Sequence, residues 1–181
     1  MNSIFIVDKS IVPFQIWRLQ TEIELRGKWV TVSAQLEFLL SKIIIYANNK
    51  NPLVNREFNK VKFWRKIKWA KEDLSNSYPQ LYAELEPYFA TLDGLIEIRN
   101  NIAHRSFQFD ENETDKSFVI VTDIVWKDGD NVMELIKYPL DFLDEKYIAF
   151  KDTTRQMINA WIHLVNDFSK DNPNFSVLSK I

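Results

Sequence analysis

At 181 residues, 46% hydrophobic and 27% charged, the chain has the size and composition of a folded protein with a sizeable core. It has no cysteine, which excludes disulfides, thiolate metal sites and cysteine nucleophiles and is compatible with a reducing cytoplasm. The net charge of −2 announces no global affinity for nucleic acid, but the charge is unevenly spread: Lys60–Lys71 holds six basic residues and no acid, whereas Ser106–Phe150 holds eleven acids against four lysines.

Met1–Ser10 lacks a basic segment followed by a long apolar run, so no signal peptide is expected. Phe14–Ala47 reads as helix, with Gly27 marking a kink or break, and its half Trp29–Tyr46 is apolar almost all round, as in a central helix. Its longest apolar stretch, Phe38–Ala47, is too short to span a bilayer, and no membrane association is expected. Asn48–Phe58, with four Asn and Pro52, reads as a loop. Lys60–Leu74 is the next helix, with Val61, Trp64, Ile67 and Lys68 or Lys71 at helical spacing.

After a turn at Ser75–Pro79, a long helix is expected over Pro79–Ala103, with Leu85, Phe89, Leu92, Leu95 or Ile96, and Ile102 as its apolar stripe. Pro87 lies inside it and would kink or split it. Ser106–Phe109 reads as a short strand. Phe118–Trp126 and Val132–Tyr138 alternate and are rich in β-branched residues, and the Asp128-Gly129 between them is a hairpin signal. A final helix runs from about Leu143 to Lys170, followed by a tail over about 172–181. One mainly α domain spans 1–181, with a β-hairpin insertion over about 106–139, before the last helix.

Two histidines are present. His163 sits mid-helix and reads as a surface or boundary residue. His104 ends the long helix in the segment Arg99-Asn100-Asn101-Ile102-Ala103-His104. Asn100 and His104 are four apart and share a helix face, and the long Arg99 side chain reaches the same face. Guanidinium, carboxamide and imidazole together suit phosphodiester cleavage: the guanidinium fork matches phosphate oxygens, and imidazole transfers protons near neutral pH. The same residues at a helix end can also serve only as caps.

Two further features bear on this site. Glu37 lies within the apolar helix and needs a partner if buried; it could orient Arg99 or His104. Lys62, Arg65, Lys66 and Trp69 fall on one face of the basic helix, suited to tracking a phosphate backbone and stacking a base. The acids Asp110, Glu111, Glu113 and Asp115 read as a solvated loop, and no metal site is expected.

Arg99 through His104, with a polar residue after the Arg and four residues between Arg and His, late in a long helix, resembles the signature of the HEPN superfamily. The resemblance implies a four- to five-helix bundle and a metal-independent endoribonuclease that needs no cofactor. Arg99 and His104 would be its catalytic pair, with Asn100 assisting. It also implies a homodimer in which two motifs share a cleft, RNA cleavage by 2′-hydroxyl attack, a toxin or phage-defence role and, for some members, an antitoxin partner. Independently, such cleavage needs a base and an acid, and one chain supplies one motif histidine; Arg105, Glu97 or water could fill the missing role, and Arg105 is also a candidate RNA contact. The alternatives are a non-catalytic module of the same fold that docks a protein or nucleotide, and a structural helical dimer.

Overall fold

The computed structural model of the chain describes residues 14–48, 61–108, 115–127 and 130–171. They form four helices and three strands: α1 (Phe14–Ala47), α2 (Phe63–Ser77), α3 (Pro79–His104), β1 (Ser106–Gln108), β2 (Phe118–Lys127), β3 (Asp130–Pro139) and α4 (Leu140–Asp171). The protein is therefore mainly α, with a small antiparallel sheet inserted before the last helix. The expected hairpin is present and gains a third strand, giving the order β1-β2-β3. Asp128 and Gly129, where the hairpin turn is expected, and most of the expected acidic loop (109–114), like the ends 1–13 and 172–181 and the segment 49–60, lie outside the described residues.

The helices obey their apolar periodicity more than their breakers. α1 passes through Gly27 as one helix, and α3 passes through Pro87. By length and composition α1 is apolar enough to cross a membrane, a property of the whole helix that the stretch Phe38–Ala47, interrupted by Ser41 and Lys42, does not convey. Val32, Leu36, Leu40, Ile43 and Ala47 are buried in the protein, which accounts for much of that apolar character.

The residues group into two compact units, and α1, α3 and α4 each contribute to both. One unit takes Thr31–Glu97 and the chain from Ile148 onward. In it Leu85, Phe89, Leu92 and Leu95 of α3 are buried as their spacing requires, together with Phe150, Met157, Leu164 and Val165 of α4. The expected face of α2 is corrected. Trp64 is half exposed, and the buried residues are Lys66, Ile67, Ala70, Asp73 and Leu74. This rotation is permitted because both charges inside it are satisfied: Lys66 Nζ donates to Glu37 Oε1 (2.7 Å), and Asp73 accepts from Asn48 Nδ2 (2.6 Å).

The other unit takes the chain up to Val30 together with Ile98–Tyr147. It holds the sheet, the end of α3 and the start of α4. Trp17, Leu25, Trp29, Ile102, Val119, Val121 and Leu143 are buried in it. The register pairs Ser106 with Thr122, Ile124 with Met133 and Leu135 with Thr122, placing these residues on one face of the sheet. Ser117 O accepts from Leu140 N (2.8 Å), tying the start of α4 to the start of β2.

Candidate active site at the end of the third helix

α3 delivers Arg99, Asn100 and His104 to one surface. Arg99 Nη1 donates to Asn100 Oδ1 at 3.0 Å and lies 3.0 Å from His104 Nε2. A guanidinium carries donors only, so this contact is a hydrogen bond in the tautomer that leaves Nε2 as acceptor. Asn100 and His104 are exposed and Arg99 is partly so. The trio therefore presents a guanidinium, a carboxamide and an imidazole side by side at the surface. The spacing of one and five residues along a helix accounts for this meeting.

The adjacent Asn101 faces the other way. It is buried, and its Nδ2 donates to Tyr138 Oη on β3 (2.7 Å). Tyr138 in turn stacks on Phe142 at the start of α4, with ring centroids 6.2 Å apart. The two consecutive asparagines thus divide: Asn100 joins the exposed cluster, and Asn101 ties the helix to the sheet.

Arg26 of α1 holds the end of α3 from a third direction. Its Nη1 donates to the carbonyl of Ala103 (2.7 Å) and its Nη2 to that of Arg105 (2.8 Å). Its Nε pairs with Glu22 one turn earlier (2.9 Å), and its guanidinium lies 4.9 Å from the centroid of the Phe107 ring. The last carbonyls of a helix have no partner within it, and here two carbonyls flanking His104 are taken by Arg26. Capping is thereby supplied from α1, while the contacts of His104 and Asn100 described above run to Arg99. Sequence reasoning missed Arg26. The Glu22–Arg26 spacing of four signals a pair on one helix face, but nothing in it reports the tertiary carbonyls.

Of the other expected residues, Arg105 flanks the trio, with Nε 3.5 Å from Asp123 Oδ2. Glu37 takes Lys66 as its ion-pair partner, in the other unit from the motif, so its expected role in orienting Arg99 or His104 is replaced by neutralising a buried lysine. For the same reason Lys66, only 7% exposed, is not an open phosphate contact. Lys62 and Arg65 are exposed and Trp69 is half-buried, so the basic face survives only in part. Lys62 precedes α2 as its N-cap, in extended conformation. Glu97 is exposed on α3.

His163 is a surface residue of α4, 3.6 Å from Asp167. Both line a cavity of about 430 Å³ with Tyr78 and Glu84. Burial first, then the charges of Asp167 and Asp171, push the Tyr78 phenol above its ordinary value.

Comparison with protein families, with characterised proteins and with solved structures finds no match to this chain.

Proposed function

We propose that the protein is a metal-independent endoribonuclease of the HEPN type, cleaving RNA by attack of a 2′-hydroxyl on the adjacent phosphate. The observation that carries this reading is the exposed triad at the end of α3, with Arg99 Nη1 3.0 Å from both Asn100 Oδ1 and His104 Nε2. An unprotonated imidazole nitrogen next to a guanidinium is suited to take the 2′-hydroxyl proton while the guanidinium faces the phosphate charge. Anchoring of the flanking carbonyls by Arg26 supports the same reading, since it frees His104 from capping.

The reaction needs a second proton-transfer group for the leaving 5′-oxygen. A second copy supplies it if two triads face one cleft, so a homodimer is part of the proposal. A toxin or phage-defence role, with or without an antitoxin partner, rests on the motif resemblance alone.

The test is incubation of the purified chain with mixed RNA in EDTA, beside His104→Ala and Arg99→Ala. Each loss should lower the rate by about 10²–10⁴-fold, and the products should end in 2′,3′-cyclic phosphate. Absence of cleavage by the wild type across a broad RNA panel refutes the catalytic reading; normal cleavage by both variants refutes the site. Sedimentation at assay concentration checks the dimer.

A further inference from the structure

Beside His104 the end of α3 and the sheet border a groove of about 300 Å³, lined by Arg105, Gln108, Thr122, Asp123, Ile124 and Met133, with the Asp123 carboxylate paired to Arg105 Nε. Ile124 and Met133 are directly opposite one another across β2 and β3, yet are 67% and 56% exposed. Leu135, on the same face, is 63% exposed. Single exposed apolar residues are ordinary, but contiguous ones beside a polar cluster mark ligand sites. Gln108 lies on this face of β1, two residues beyond Ser106, and offers an amide with both a donor and an acceptor.

We infer that this groove is a base-binding subsite, taking an unpaired nucleobase of the RNA next to the phosphate held at Arg99 and His104. The ligand has to be flat, to lie against a branched aliphatic chain and a thioether. It has to carry hydrogen-bonding atoms on its edge, to meet Gln108. It has to be small, because the groove is at the lower end of ligand-site volumes. A base splayed from single-stranded RNA meets all three requirements, and sequence-selective readers of RNA use this combination of an apolar platform and an edge-reading side chain. Met133 is the platform, since a polarizable sulfur packs well on aromatic rings. Gln108 sets which base is preferred. The subsite rests on the ribonuclease reading for its place beside a scissile phosphate.

The experiment measures binding without cleavage. Five dye-labelled hexanucleotides are titrated onto the full chain by fluorescence anisotropy: the four 2′-O-methyl homopolymers, which lack the attacking hydroxyl, and an abasic hexamer. At least one homopolymer should bind the wild type about 10-fold or more tighter than the abasic strand, within the range that base stacking supplies. Met133→Ser should weaken all four homopolymers together and leave the abasic strand unchanged. Gln108→Ala should narrow the spread among the four. Both side chains are exposed, so neither change disturbs the core.

Equal binding of all five strands by the wild type overturns the subsite, as does either variant binding all five as the wild type does. Base-dependent binding without any RNA cleavage retains the subsite and removes the ribonuclease reading. Cleavage without base-dependent binding does the reverse.

Discussion

Replacing Arg26 with alanine removes the clamp on the end of α3. Each guanidinium bond to a backbone carbonyl contributes about 1.5–3 kcal/mol. The Arg26 side chain is 30% exposed, so water partly replaces what is lost and the lower figure applies to each of the two bonds. The contact with Phe107 adds about 0.5–1 kcal/mol, and the Glu22 pair less than about 1. The expected local cost is therefore about 4 kcal/mol. Local opening, rather than global melting, is the quantity to measure, because stability varies across a structure with two compact units. The amide of Arg105, which donates to Asn101 O at 3.2 Å, reports the last turn of α3. Its hydrogen exchange should accelerate by about 700-fold, since each tenfold is about 1.4 kcal/mol. Arg26→Lys keeps the charge but not the fork and should recover about half of the loss on the free-energy scale. Glu22→Gln should change exchange by less than about fivefold. An Arg26→Ala protein whose Arg105 amide exchanges within about threefold of wild type refutes the clamp.

Four other outcomes follow from the geometry. Gly27→Ala should raise stability by about 0.5–1 kcal/mol in thermal denaturation, because Gly27 lies within α1 and nothing stands within 4 Å of an added Cβ. Glu37→Gln leaves Lys66 buried without its counter-charge and should cost about 1–3 kcal/mol, while Glu37→Leu with Lys66→Met together should cost less than Glu37→Gln alone; the reverse ranking in urea unfolding refutes the pairing argument. Asp115 is held below the usual carboxylate range, first by the Ser117 hydroxyl and then by the Ser117 N–H. Because the folded value is the lower one, its contribution is complete above the ordinary carboxylate range and is lost as pH falls through the depressed value; the Ser117 amide resonance should titrate there in the wild type and not in Asp115→Asn. Arg99→Ala and His104→Ala should each change stability by less than about 1 kcal/mol, since exposed polar pairs contribute little, while removing RNA cleavage; a melting loss comparable to that of Arg26→Ala in either variant would assign them to structure.

What the sequence conveyed divides by the range of the interactions. Local rules carried far: the apolar stripe of α3 is buried at Leu85, Phe89, Leu92 and Leu95, and alternation in Phe118–Tyr138 became two paired strands. The Arg99–His104 cluster was also legible, because one helix supplies all three side chains. The rest depended on tertiary partners. α2 buries Lys66 rather than Trp64 because a carboxylate on α1 meets the lysine, and no periodicity within α2 reports that. Gly27 and Pro87 read as a kink or a break, and the structure excludes the break: both helices continue through them, packing outweighing a local penalty of this size at Gly27. Arg26 was illegible for a simpler reason: its partners are backbone carbonyls 77 and 79 residues away, and a carbonyl has no residue type.

That last point bears on how the end of α3 can combine order with reactivity. A histidine that capped its own helix would donate a ring N–H to a backbone carbonyl and be held in that orientation. Here the two neighbouring carbonyls are satisfied by a side chain from α1, and the neighbouring Asn101 is satisfied by Tyr138 of β3. The backbone on which His104 sits is thus fixed at both sides by groups that are not part of the exposed cluster. The His104 imidazole meets Arg99 through Nε2, a contact between exposed groups that a phosphate can replace at small cost. Removing Arg26 should therefore loosen the backbone at His104, and removing His104 should lower the proposed cleavage without loosening the helix.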